Sequence, residues 1–247
     1  MTERIDRIGY LTAVLLLASG LAHIGILLAT GGSWEGPLSW RKPATFGLSF
    51  GLTLMTIVWV TSFVRLRERT RGSVIGAFAA ASVLETALIT MQAWRGVPSH
   101  FNVATPFDAW VTRGLAGGGI ALVIMVVGLT VATFRTPIDP IPGMKMAIRT
   151  GFVIFCGAMA TGAIMIARGM MLVYSGNAQA AYATGGLLKP THAVTMHAVL
   201  VLPALAWLLS RTRWSEDRQF RYVRVASAGY ALVSAIVAVA NMAIPSW

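Results

Sequence analysis

Three apolar stretches far apart in the chain each carry one deeply placed ionisable side chain: His23, Glu85 and His197. Inside a membrane such a group costs a few kcal/mol unless it meets a partner or does work. At about 1.5 Å per residue, His23 and His197 fall about 10 Å below one boundary of their segments and Glu85 about 13 Å below the same boundary. The sequence therefore expects all three to converge on one site. Neutral imidazoles from facing helices can take the two axial positions of a b-type haem. With Glu85 they also make a two-histidine, one-carboxylate set suited to iron or another divalent transition metal. His192 is a further candidate metal ligand, but it lies five residues from His197, about 140° around a helix, so the two do not form the i, i+4 pair of a zinc-binding helix. The plainer expectation is that His23 bonds Ser19 or a carbonyl and that Glu85 is protonated or paired with a histidine. Neither His-Glu-x-x-His, nor Cys-x-x-Cys, nor a phosphate-cradling glycine loop occurs.

A second polar set is concentrated in one connection, Gln92-Ala-Trp-Arg95-Gly96-Val-Pro98-Ser99-His100-Phe101-Asn102-Val-Ala-Thr105-Pro106-Phe107-Asp108. Pro98 and Pro106 restrict it and its polar groups need partners, so it is expected to be ordered and to cover the outer mouth of a helical bundle. Gln92, Arg95, Ser99, His100, Asn102 and Asp108, with Lys42, Arg168, Lys189 and His192 at the same level, could receive a carboxylate, a phosphate or a lipid head group. Glu85 and the histidines could relay protons to it. The commoner use of such cations is to snorkel to lipid phosphates. Three functions stay open: a redox or metal protein holding haem b or a divalent transition metal, a transporter or outer-leaflet enzyme for a polar or anionic ligand, and a non-catalytic subunit or scaffold. Little polarity in the inner half of the apolar runs counts against an open channel.

These residues must be positioned by long apolar elements. With 56% hydrophobic and only 12% charged residues over 247 positions, the chain has too little polar surface to coat a soluble globule. A bilayer core takes about 20 apolar residues per helix, and seven runs of that length occur, at roughly 8–30, 44–64, 73–94, 112–134, 147–171, 190–210 and 222–244. No segment alternates with period two as a spanning strand does. The expectation is an all-α integral membrane bundle of seven transmembrane helices, forming a single transmembrane domain over 1–247, with the lipid bilayer as its partner. The first run is expected to be a retained helix, because it exceeds the apolar core of a signal peptide.

Charge orients the bundle. Arg4, Arg7, Arg65, Arg67, Arg69, Arg71, Arg135, Lys145, Arg149, Arg211, Arg213, Arg218, Arg221 and Arg224 fall on one side, against Arg41, Lys42, Arg95, Arg113, Arg168 and Lys189 on the other. The positive-inside rule then places the N-terminus in the cytoplasm and the tail from Ile244 to Trp247 outside, in a cell (inner) membrane. The net charge of +11 is read as topology signal, and nucleic acid is not expected as a partner. Trp34, Trp40, Trp94, Trp110 and Trp247 map to the outer boundary and Trp214 to the inner one, as an anchoring belt does. The lone Cys156 excludes an intrachain disulfide and reads as a packing residue.

Smaller patterns concern packing. Thr12, Ser19, His23 and Thr30 share a face of their run, as do Ser227, Tyr230, Ser234 and Asn241, and Gly117-Gly118-Gly119 reads as a close helix-packing surface. Lys42-Pro43 and Lys189-Pro190 each open a run after a glycine-containing connection, a weak internal echo of the kind parallel repeats leave. The string Arg95-Gly96-Val-Pro98-Ser99-His100-Phe101-Asn102, with the Lys-Pro-opened helix as companion, resembles a motif of uncharacterised bacterial multipass membrane proteins. The resemblance runs loosely over the whole chain and implies a class, without an activity.

Overall fold

The computed structural model describes residues 2–184 and 186–243, so Trp247 and the rest of the expected outer tail lie outside the described residues. Eight helices follow one another: α1 (Thr2–Thr30), α2 (Arg41–Thr61), α3 (Glu68–Trp94), α4 (Pro106–Arg135), α5 (Met144–Tyr174), α6 (Ala178–Thr184), α7 (Lys189–Leu209) and α8 (Glu216–Ala243). All but α6 are long and apolar enough to cross a membrane. Leu15, Leu28, Ile124, Val225 and Val239 are each more than 60% exposed, a surface made for lipid rather than water.

Each expected run is a helix, but several helices begin earlier, at Glu68, Pro106 and Glu216. Their first turns carry Glu68, Asp108, and Glu216 with Asp217. Acidic residues there favour the exposed N–H groups and the helix dipole while lowering hydropathy. Helix α6 was absent from the sequence expectation because it is short and uncharged; Asn177 starts it, its side chain accepting from the Ala180 N–H at 3.3 Å.

The chain divides into two compact units, and α2, α4 and α5 contribute residues to both. Unit 1 comprises Met1–Val58, Glu68–Leu122 and Ile166–Gly185. Here α1 and α2 meet backbone to backbone. A Cβ added at Gly47 would lie 2.8 Å from Gly20 N and Leu16 O, and one at Gly51 would lie 2.8 Å from Ala13 O, the close approach that a Gly-x-x-x-Gly pair permits between membrane helices. Arg71 of α3 joins Asp6 of α1 at 2.6 Å and donates to Val58 O at 2.9 Å. Ile89, Val111 and Leu115 form a buried cluster with Phe46, Leu88 and Met91 against it. The glycine triplet departs from expectation: a Cβ at Gly117 or Gly119 would meet nothing within 4 Å, while one at Gly118 would lie 2.3 Å from Glu85 Oε1. Of the triplet only the middle glycine meets a neighbouring helix, and it makes room for the Glu85 carboxyl group of α3.

Unit 2 comprises Trp59–Arg67, Val123–Met165 and Gly186–Trp247. Asn241 of α8 accepts from Thr191 Oγ1 at 2.8 Å and donates to Leu187 O at 2.7 Å, and Tyr230 donates to Val194 O at 2.8 Å. Two members of the expected polar stripe of α8 thus bond to α7 and the connection before it, while the hydroxyls of Ser227 and Ser234 are buried without a hydrogen-bond partner. Gly151 lies under α7, where a Cβ would sit 2.9 Å from Ala198 O. Two connections pair through an isolated bridge between Val64 and Ile138.

Candidate functional site

The polar connection of unit 1 is built around the start of α4. Thr105 precedes Pro106, which suits a first helical position because it has no N–H to leave unpaired. Thr105 Oγ1 accepts the Asp108 N–H at 3.1 Å and donates to Asp108 Oδ2 at 2.7 Å, a variant of the reciprocal helix cap. The other carboxylate oxygen, Oδ1, accepts from Gln92 Nε2 at 2.9 Å and from Arg95 Nη1 at 2.7 Å. Arg95 Nη1 also donates to Gln92 Oε1, and its guanidinium lies over the Phe107 ring at 4.7 Å. Gln92 and Asp108 are buried, whereas the Arg95 side chain is 38% exposed. Three of the expected ligand-binding residues thus meet, and they meet chiefly each other.

The rest of the connection is ordered on the same plan. Asn102 accepts the Thr112 hydroxyl on its carbonyl at 2.8 Å and the Ala104 N–H on its side chain at 3.1 Å. Ser99 and His100 Nδ1 are 3.0 Å apart. The His100 ring packs against Phe46 and Phe101 with centroids at 5.7 and 6.1 Å. Burial, helped by the Lys42 charge, lowers its pKa from 6.5 to about 3. Phe101 has φ of +63°, a backbone region that bulky residues avoid at a cost of about 1–3 kcal/mol. What holds it there is packing: its ring occupies the space a Cβ at Gly169 would need, 2.3 Å away, within a buried cluster with Val173 and Ala181. Tyr182 of α6 donates to Phe101 O at 3.4 Å, and desolvation, then Asp108, raises its pKa.

His23 of α1 meets the same end of α3. Nδ1 donates to Ser19 O at 2.7 Å, since a carbonyl can only accept, and Nε2 accepts from the Trp94 indole at 3.3 Å. Trp40 stacks on the ring at 6.0 Å, and Trp40 and Trp94 meet at 5.1 Å. Both imidazole nitrogens are engaged, so an axial-ligand role for His23 requires displacing Trp94. Trp40 and Trp94, expected as anchors, are also the partners of His23.

Glu85 is buried on α3 with an unpartnered Oε1, and the hydroxyls of Ser82, Thr86 and Thr90 on that helix are likewise buried without a hydrogen-bond partner. Arg168, half-buried on α5, also belongs to unit 1.

Lys189, His192 and His197 lie in unit 2. His192 Nδ1 donates to Ala158 O at 2.8 Å and His197 Nδ1 to Ala193 O at 2.6 Å, leaving Nε2 of each as the lone-pair nitrogen. Lys189 is exposed at the start of α7. Among the described residues no group of three or more His, Cys, Asp or Glu side chains is placed to hold a metal ion. Sequence reasoning missed Thr105, Thr112 and Tyr182; the Thr-x-x-Asp spacing at 105–108 is the signal that exposes the first of them.

Fold and site together define a polytopic α-helical membrane protein with seven spanning helices. Comparison of the chain with family models, with curated proteins and with solved structures returns no match.

Proposed function

We propose that this protein binds a small polar ligand inside the membrane at Glu85, as a carrier or as an enzyme of one leaflet. The ligand would enter from the side on which the 31–40 and 95–105 connections emerge. By the positive-inside rule that side is the outer face of a cell membrane, with the N-terminus in the cytoplasm. The observation carrying the reading is the unsatisfied polar face of α3: Glu85 Oε1 and the hydroxyls of Ser82 and Thr86, all buried without partners. Each such group in an apolar surrounding costs about 1–3 kcal/mol, and an ionisable one in a spanning helix marks function by default. A protonatable or cationic ligand group supplies what these three atoms lack. The bonded Gln92–Arg95–Asp108 knot holds the end of α3 two turns beyond Glu85.

Labelling with an apolar carbodiimide, which attacks buried carboxyl groups, tests this in vesicle-reconstituted protein. Glu85 should be the modified residue, Glu85→Gln should abolish the label, and a panel of small amines and amino acids should contain members that slow it. Labelling that no panel member slows, together with a Glu85→Gln variant that melts higher than the parent, would overturn the reading, because the carboxyl would then be only a burden on the fold.

One observation supports a second reading, metal or haem chemistry. His192 and His197 each donate Nδ1–H to a backbone carbonyl, the orientation that metal-ligating imidazoles adopt. The visible spectrum and elemental analysis of the purified protein decide it, and a colourless, metal-free preparation refutes it.

A further inference from the structure

Unit 2 holds a cleft of about 460 Å³ lined by Phe134, Gly143, Lys145, Met146, Arg149, Thr150, Val153 and Phe220. We propose that this cleft binds an anionic phospholipid, with the head group at Lys145 and Arg149 and an acyl chain along Val153 and Phe220. The wall is made by one backbone device. Gly143 has φ of +77°, and a Cβ there would stand 2.8 Å from Val223, so the turn before α5 seats directly on α8. This places Phe220, one turn before Val223, beside the first turns of α5.

The lining sorts by chemistry. Lys145 and Arg149 are the only charged residues of its lining, which contains no carboxylate. Lys145 is exposed. Arg149 is held in place, donating through Nε to Thr133 O at 2.9 Å and stacking over Phe134 at 4.9 Å. The apolar part faces outward: Phe134, Val153 and Phe220 are 53%, 51% and 40% exposed. A fixed guanidinium and a mobile ammonium above exposed apolar side chains, at the end of spanning helices, match a phosphate joined to hydrocarbon. A soluble anion would leave the apolar wall unused, and a zwitterionic lipid would bring its own cation to two others. The cleft also lies on the side where most arginines gather, the side expected to face the more anionic leaflet.

Native mass spectrometry of the protein released from micelles containing equal phosphatidylglycerol and phosphatidylcholine tests the proposal. Phosphatidylglycerol should be retained preferentially. Lys145→Ala should lower its retention about fivefold, the effect of one cation near a lipid surface, and Val153→Trp, which fills the apolar wall, should lower it as well. Arg213→Glu, a change on the same side outside the cleft, should leave it unaltered. Equal retention of the two lipids overturns the proposal, as does unchanged retention in a Lys145→Ala variant with native circular dichroism. Displacement by excess inorganic phosphate would also overturn it, in favour of a free-anion site.

Discussion

Removing the Asp108 carboxylate tests whether the 95–105 connection is held by its buried knot. In Asp108→Ala three accepted bonds vanish together, those from Gln92 at 2.9 Å, Arg95 at 2.7 Å and Thr105 at 2.7 Å. The Arg95 pair alone has ideal distance, but the side chain is 38% exposed, which limits it to about 1 kcal/mol. Gln92 is fully buried, and leaving its amide without an acceptor costs about 1–3 kcal/mol. Loss of the reciprocal cap on α4 adds about 1 kcal/mol. The expected destabilisation is therefore about 3–5 kcal/mol, roughly 10 °C in midpoint for a chain of this size. Thermal unfolding in detergent micelles reads it, and limited proteolysis should show new cleavage between residues 95 and 105. Pairing it with Gln92→Leu should recover part of the loss, because the stranded amide is gone. Asp139→Ala is the control: that carboxylate faces Arg65 at 3.9 Å and is 42% exposed, so its removal should change stability by under about 0.5 kcal/mol. If Asp108→Ala behaves like Asp139→Ala, the knot does not hold the connection.

Two further expectations follow from unit 1. His100 takes up a proton near pH 6.5 when unfolded but only near 3 in the native protein, so the unfolded chain binds more protons between those values. Stability should fall as pH drops from 6.5, by up to about 1.4 kcal/mol per unit, and His100→Gln should flatten the slope between pH 6.5 and 5 in unfolding experiments. Gly47→Val, whose Cβ would overlap Gly20 N and Leu16 O at 2.8 Å, should force α1 and α2 apart and lower the midpoint by about 2–12 °C, the consequence of an overpacking loss of about 1–3 kcal/mol; an unchanged midpoint would refute the close packing of these helices.

How much of this could be read from residues alone follows from the range of each signal. The spanning helices are legible because hydropathy over about twenty residues integrates a strong, local transfer term. Their first turns are not, since Glu68 and Asp108 subtract from hydropathy while adding to the helix terminus. In the connection, Gln92, Arg95 and Asp108 could be recognised as a set because they lie within one short stretch, and proximity in sequence left them few other partners. His23 shows the opposite case. Its type and depth were readable, but the indole that occupies its Nε2 is 71 positions away, and depth along a helix says nothing about which neighbour faces the ring. The same blindness to azimuth explains the glycines. Three consecutive glycines point in three directions 100° apart, so at most a part of Gly117-Gly118-Gly119 can face any one helix, whereas Gly47 and Gly51 share a face and bring two backbones together. Glu85 lies where these effects meet. A side chain larger than hydrogen at position 118 would fill the space its carboxyl occupies, which is why a glycine of α4 stands opposite the acid of α3.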